Sequence, residues 1–175
     1  MAYWKNRGLR GSLLEIAINM TNEKYRQNKL ALIQKIPTPI KPIEIDKSTR
    51  HITLAYFEKK STVDYIGTVQ GIPVCFDAKE CATESFSLQN IHEHQFQFMK
   101  EFEEQGGVAF VLIYYTSKDV YYYLRFEKLK EFMDRAKTGK KSFNYSEIEL
   151  EFQISTHDGV FVHYLEMINQ DIKLR

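Results

Sequence analysis

The residues that could carry chemistry cluster in one predicted β-hairpin. Two runs of alternating apolar residues flank Gln70-Gly71, and a two-residue loop there would pair Val69 with Ile72. This register places Asp64 directly opposite Asp77, with Cβ atoms roughly 4.5–5.5 Å apart on one face of the sheet. Facing carboxylates repel each other, and a divalent cation would relieve the repulsion. Hard oxygen ligands favour magnesium or manganese over zinc.

Two further polar residues share this face of the hairpin. Thr62 lies opposite Lys79 in the same register. The lysine could polarise an attacking water or offset negative charge that develops at a phosphorus centre. The other face collects the apolar side chains Val63, Tyr65, Val69, Ile72, Val74, Phe76 and Ala78. Two alternatives stay open: a bulge at the unusual Gln70 could shift the register, and the charges could simply be solvated.

A glutamine interrupts the apolar stripe of the helix that is predicted next. The stripe consists of Leu88, Ile91, Phe98 and Phe102, and Gln95 lies within it. A buried amide needs a polar partner. Its oxygen could complete the shell of a metal or hold a nucleophilic water, and a hydrogen bond to nearby backbone is the alternative. His92 and His94 lack the four-residue spacing of a helical metal pair.

Alternating helices and strands must position these residues. The patterns predict helices over 11–29, 88–104, 127–137 and 162–172, and strands over 30–36, 52–57, 63–69, 72–80, 108–115, 120–126 and 148–154. The first helix is predicted from the helical intervals of Leu13, Ile16, Ala17, Met20 and Tyr25. Gly106-Gly107 suits the end of the second helix. The fold is therefore predicted to be α/β.

Prolines indicate a segment that leaves the sheet. Three of the four prolines fall between Pro37 and Pro42. Proline cannot donate to a ladder, so this segment must protrude or run along an edge. We predict one domain over residues 1–175, with a protruding excursion at 35–60 and a basic arm at 1–11.

The net charge of +1 conceals an asymmetry along the chain. Residues 1–60 carry twelve Lys and Arg against five Asp and Glu, a net +7, while residues 61–175 carry twelve against eighteen, a net −6. This division indicates a polyanion-binding surface on the first third, or else a merely solvated basic surface. No apolar run approaches the roughly 20 residues of a membrane-spanning helix, and no signal peptide is evident, which predicts a cytoplasmic protein without membrane contact. Two cysteines, Cys75 and Cys81, are too few for a disulfide framework.

The order and spacing of these motifs extend over nearly the whole chain. An aspartate, Asp-x-Lys thirteen residues further on in the same hairpin, and a following helix that carries a glutamine form a pattern similar to the PD-(D/E)xK nuclease core. Further matching segments are Asn6-Arg7-Gly8, Leu14-Glu15, Pro37-Thr38-Pro39, Ala55-Tyr56-Phe57, 61–67, 76–80, 86–95 and 107–111. Together they resemble the RecU-type Holliday-junction resolvases of that superfamily.

The resemblance implies a restriction-endonuclease-like mixed sheet flanked by helices, with a protruding stalk. It implies a homodimer that nicks four-way DNA junctions symmetrically with Mg²⁺, or alternatively Mn²⁺. Recombinase or branch-migration proteins would be further partners. Asp77 stands where cellular members usually have Glu.

The resemblance also implies roles for individual residues. Thr62, Asp64, Asp77 and Gln95 would hold the metal. Lys79 would stabilise the transition state, and Glu15 would be an auxiliary ligand through water. The DNA contacts would be Arg7 and Arg10 in the arm and Lys35 and Arg50 in the stalk.

Two other functions stay open at this point. One is a junction-binding protein or recombinase partner without catalysis. The other is a nuclease of the same core that acts on other branched DNA or on duplex. A degenerate binding protein should have lost Asp64, Asp77 or Lys79, and all three are present.

Overall fold

A six-stranded mixed sheet with helices packed on it forms the body of the protein. The computed structural model describes residues 13–57, 62–154 and 161–175. The helices in these residues are α1 (Leu13–Gln27), α2 (Glu93–Glu104), α3 (Phe126–Ala136) and α4 (Tyr164–Lys173). The strands are β1 (Leu32–Lys35), β2 (Ile40–Ile45), β3 (Ile52–Phe57), β4 (Tyr65–Val69), β5 (Ile72–Cys81), β6 (Ser85–Ser87), β7 (Val108–Tyr115), β8 (Val120–Arg125), β9 (Ser142–Asn144) and β10 (Gln153–Ile154).

The main sheet has the strand order β1-β4-β5-β7-β8-β10. Only β5 and β7 pair in parallel; the other neighbours are antiparallel. A parallel pair needs a crossover connection, and the chain between these two strands contains α2. The predicted mixed sheet flanked by helices is confirmed.

The hairpin of β4 and β5 has the predicted register. Val69 pairs with Ile72 and Tyr65 with Phe76, without a bulge. Gln70 has φ of 48° and Gly71 has φ of 90°. Two positive φ values are what a type I′ turn needs, and this turn matches the twist of the strands on either side. Gln70 therefore adopts the left-handed conformation. Because the turn fixes the register of β4 and β5, it also decides which face of the sheet each side chain of the hairpin is on.

Aromatic rings stack across the sheet and hold the hairpin in place. Tyr65 lies 4.7 Å from Phe76, Phe76 lies 4.7 Å from Phe110, and Phe110 lies 4.3 Å from Tyr123 between ring centroids. Tyr164 of α4 packs against Phe76 at 5.2 Å. Such pairs contribute about 0.5–1.5 kcal/mol each beyond the burial of area. The strand that carries Asp77 is thus anchored by the residue directly before it.

The buried face of α1 matches only part of the set on which its prediction rests, since Ala17 and Tyr25 are buried. Leu13, Ile16 and Met20 are exposed, with Leu13 70% accessible. The core is instead contacted by Leu14 and Ile18, which are fully buried. Both stripes of this helix are apolar, so periodicity predicts the helix but does not select the face.

Within the predicted excursion at 35–60, β2 and β3 form a separate two-stranded hairpin, which we call the stalk. These strands pair with each other and not with the main sheet, and every residue in them is exposed. Their turn is closed by Asp46, whose Oδ1 accepts hydrogen bonds from the Ser48 N–H at 2.8 Å and the Ser48 hydroxyl at 2.7 Å. Residues 58–60 of the predicted excursion lie outside the described residues.

Two predicted elements differ from their predicted extent by about five residues, while others, such as β4, differ by one or two. The helix predicted to begin at Leu88 begins at Glu93, after a 3-10 turn at Leu88–Asn90. The strand predicted over 148–154 contracts to β10, after a 3-10 turn at Leu150–Phe152. The short pair of β6 and β9 was not predicted, because three-residue strands distant in sequence leave no periodic signal. None of the helices that the structure describes is long and apolar enough to cross a membrane.

Candidate metal centre

Asp64 is held from both sides at the open end of the β4–β5 hairpin. It immediately precedes β4, and its backbone carbonyl accepts a hydrogen bond from the Ile36 N–H at 2.8 Å. Its side-chain Oδ2 accepts from the Ala78 N–H at 2.9 Å. Ala78 follows Asp77, so the two predicted carboxylates lie side by side.

Asp77 is a fully buried carboxylate with an incompletely satisfied oxygen. Its Oδ1 accepts a hydrogen bond from Gln95 Nε2 at 2.8 Å. Its Oδ2 forms an ion pair with Lys79 Nζ, but among the described residues it has no partner in good hydrogen-bond geometry. A buried carboxylate oxygen of this kind is costly unless a cation or donor completes its shell.

Burial dominates the electrostatics of Asp77. It raises the pKa of this carboxyl group from 3.8 to about 7, although the adjacent Lys79 lowers it. The negative charge of Asp64 raises the pKa further. Near neutral pH the group therefore retains much of its proton, because a second carboxylate is close and water is excluded. A divalent cation would favour the ionised form of both aspartates.

Gln95 uses both ends of its amide. The residue is buried in the first turn of α2, where its Oε1 accepts a hydrogen bond from the His92 N–H at 3.1 Å. Its Nε2 donates to Asp77. Gln95 thus caps α2 and contacts the Asp77 carboxylate at the same time. A half turn of the amide would present its oxygen, a metal ligand, in place of the donor.

The other hairpin residues border the same place. Lys79 lies on the Asp77 face of β5, and its side chain is 21% exposed. Thr62 is half-buried two residues before Asp64. The described residues contain no cluster of three or more His, Cys, Asp and Glu side chains that could hold a metal. A cation here would depend on two carboxylates supplemented by neutral oxygens, which is the donor set of a hard divalent ion.

Comparison with known proteins identifies the family. The family model described as RecU, Recombination protein U, matches residues 9–170. The chain belongs to the RecU family.

Relatives named Holliday junction resolvase RecU are similar to the chain over most of its length. The protein of Leuconostoc mesenteroides is 42% identical over 146 residues, which cover 81% of this chain and 71% of that relative. The protein of Bacillus subtilis is 38% identical over 167 residues, covering 92% and 80%. That of Lactococcus lactis is 40% identical over 168 residues, covering 93% and 78%. A solved structure, the Holliday junction resolvase Hjc of Archaeoglobus fulgidus, aligns with a TM-score of 0.46 at 7% identity over 78% of this chain and 89% of that one.

Glu15 has a basic partner in the structure. Its Oε2 accepts a hydrogen bond from Lys35 Nζ at 2.8 Å. Burial raises the pKa of Tyr65, and the charges of Glu15 and then Asp64 raise it further, so both acids act on this hydroxyl. The two residues that were assigned to metal and to DNA, Glu15 and Lys35, thus form one ion pair.

Of the remaining DNA-binding candidates, the structure describes Arg50. Arg50 lies at the turn of the stalk, with φ of 58° and its N–H donating to the Asp46 carbonyl at 2.8 Å. Arg7 and Arg10 lie outside the described residues. The structure therefore brings together Asp64, Asp77, Lys79 and Gln95, while Lys35 lies in β1 beside Glu15 and Arg50 lies at the turn of the stalk.

Two positioning contacts were not foreseen from the sequence of this RecU family member. Glu80 Oε1 accepts a hydrogen bond from the Leu14 N–H at 3.0 Å, which attaches the start of α1 to the end of β5. Asn19 Oδ1 accepts from the Tyr65 hydroxyl at 3.1 Å. The alternation of β5 places Glu80 on the face opposite Lys79, and this was the available signal.

Proposed function

We propose that this chain is an endonuclease that resolves four-way DNA junctions by paired symmetric nicks. The observation that carries the proposal is the buried Asp77, which meets Asp64, Lys79 and Gln95 in a RecU-family chain. Relatives 38–42% identical are named Holliday junction resolvases.

Thr62, Asp64, Asp77 and Gln95 would hold the divalent cation. The buried Oδ2 of Asp77, which has an ion pair with Lys79 but no well-formed hydrogen bond in the described residues, and the adjacent carboxylate of Asp64 support this assignment. Mg²⁺ is the proposed ion and Mn²⁺ the alternative, since all four donors are oxygens. When bound, such an ion supplies a water of lowered pKa and positive charge beside a phosphate. Glu15 is proposed as an auxiliary acid at the edge of the centre.

The protein residues orient the reacting groups. Lys79 Nζ already lies against Asp77, so its charge is fixed where negative charge would accumulate on a phosphodiester in the transition state. Gln95 holds Asp77 from the other side. The aromatic stack beneath Phe76 keeps β5 rigid, and this limits the misplacement that would slow an in-line attack.

The stalk and the basic first third of the chain support a branched substrate. The exposed β2–β3 hairpin would enter the open centre of a junction, where Arg50 at its turn would approach a phosphate. Lys35, at the end of β1 in the main sheet, is proposed as a second phosphate contact. Arg7 and Arg10 would contact an arm. A homodimer would match the two-fold symmetry of a junction and its two nicks. Recombinase or branch-migration proteins are proposed as further partners.

The experiment uses a labelled synthetic four-way junction beside a linear duplex of the same sequence, with and without Mg²⁺. We expect Mg²⁺-dependent nicks at symmetric positions in the junction only. Asp64→Asn should keep junction binding in a gel-shift assay and lose nicking. Binding without nicking in the wild type would instead favour a junction-holding protein. Equal cleavage of duplex would favour a nuclease of the same core with another substrate.

A further inference from the structure

A groove runs between α2 and α3 on the side of α2 that faces away from Asp77. Its volume is about 400 Å³, within the roughly 300–1,000 Å³ typical of binding pockets. The apolar part of its lining is formed by Leu88, Phe96, Met133 and Ala136. Phe96, Met133 and Ala136 are partly accessible, so this surface is apolar and open to solvent. We call it the α2–α3 groove.

Lysines border the α2–α3 groove. The charged residues in its lining are Lys100, Lys137 and Lys141, with Glu93 as the one acid. This is a local reversal, because residues 61–175 carry a net charge of −6. Lys137 Nζ lies 2.7 Å from Asp134 and Lys100 Nζ lies 3.8 Å from Glu104. Both are exposed pairs within one helix, which hold a lysine weakly and leave it available to a partner.

The apolar floor argues against nucleic acid as the occupant. DNA-binding surfaces are polar and contact phosphates, whereas Phe96 and Met133 offer nothing to a phosphate. α2 lines the groove over residues 93–100, about two helical turns or roughly 10 Å, and the end of α3 faces it, so about two turns of another helix would fill this length. Recognition of this kind places one apolar face of a helix in a groove between helices.

We propose that the α2–α3 groove binds an acidic amphipathic helix of a partner protein. Large apolar side chains of that helix would contact Phe96 and Met133. Its carboxylates would lie against Lys137 and Lys141. The groove lies on a different side of α2 from Gln95, so a partner could occupy it while the candidate metal centre stays accessible. This inference does not depend on the proposed nuclease activity.

The test is a selection from a random-peptide phage library on the full-length chain. We expect the enriched peptides to combine Asp and Glu with large apolar residues at helical spacing. The double variant K137E/K141E, changed only at exposed positions, should bind those peptides at least about tenfold more weakly, because attraction becomes repulsion at two rim positions. Ala136→Arg, which fills the groove, should also lose binding.

Methionine NMR shows where a peptide binds and whether DNA binds at the same place. With ¹³C-methyl methionine, an enriched peptide should shift the Met133 resonance and leave Met20, which is exposed on α1, unchanged. Junction nicking by K137E/K141E should stay within about twofold of the wild type. No acidic apolar enrichment, equal binding to K137E/K141E, or a peptide that leaves Met133 unshifted would overturn the proposal. A Met133 shift on titration with a 16-base-pair duplex would overturn it too, since the groove would then be a DNA contact.

Discussion

Gln95 Nε2 donates a hydrogen bond to Asp77 Oδ1 at 2.8 Å, and both residues are buried. The other end of the amide accepts from the His92 N–H, so one side chain joins the start of α2 to the carboxylate of β5. This contact couples the position of α2 to the charge state of Asp77, a candidate metal ligand.

Two substitutions of Gln95 should distinguish the effect of its helix-capping hydrogen bond from the effect of its contact with Asp77. Gln95→Ala removes both hydrogen bonds and should lower the free energy of unfolding by about 1–3 kcal/mol. Gln95→Glu can still accept from the His92 N–H but adds a further carboxylate beside Asp77, which already has Asp64 as a neighbour. We expect this variant to be destabilised in EDTA and to recover when Mg²⁺ or Mn²⁺ is added. Thermal unfolding with and without metal measures both effects. Wild-type stability of Gln95→Glu in EDTA would contradict the expectation.

The buried Asp77 should make the metal-free protein less stable as pH rises. Its pKa is raised from 3.8 to about 7, chiefly by burial, so the folded protein retains a proton that the unfolded chain releases. The stabilisation from this proton is fully present below pH 3.8 and is lost as pH rises through about 7. The whole change is on the order of 4 kcal/mol.

Asp77→Asn is the matched variant for this pH dependence, because it keeps the shape and removes the titration. In EDTA it should be more stable than the wild type at pH 8, with the difference shrinking towards pH 5. Urea unfolding of both proteins at the two values gives the comparison. A difference that does not change with pH would argue against a raised pKa for Asp77.

Lys79 should matter for the reaction rate more than for DNA binding. Lys79→Ala removes the positive charge beside Asp77, and we expect the nicking rate to fall by roughly 10²–10³-fold. Junction binding should stay close to that of the wild type, since this lysine is largely buried. Lys130→Ala, an exposed lysine of α3, serves as the control. Unchanged single-turnover nicking by Lys79→Ala would remove the lysine from the proposed mechanism.

Removal of the stalk should change substrate preference without unfolding the body. The strands β2 and β3 pair only with each other and bury none of their residues, so replacing residues 40–57 by a short Gly-Ser bridge should preserve the main sheet. We expect the preference for a four-way junction over duplex to disappear in a competition assay, while Mn²⁺ binding by calorimetry is retained. A truncated protein that still prefers junctions would exclude the stalk as the element that recognises branching.

Much of the candidate centre was predictable because its determinants are local. A two-residue turn and an alternation of apolar residues specify the register of the β4–β5 hairpin, and hence the proximity of Asp64 to Asp77. The excursion predicted at 35–60 from the backbone chemistry of proline contains the separate β2–β3 hairpin, and its protruding role stays a prediction. Motif order was enough to indicate the family. The catalytic roles of these residues stay predictions.

Other features were decided only by packing between distant segments. The sequence of α1 has two apolar stripes, and its contact with Glu80 of β5 accompanies the burial of Leu14 rather than Leu13. The pKa of Asp77 depends on the exclusion of water by the assembled sheet and α2, which no spacing of residues reveals. Turn chemistry and periodicity are properties of a few neighbouring residues. Burial and the coupling of charges arise only when folding brings residues that are distant in sequence together and excludes water from them.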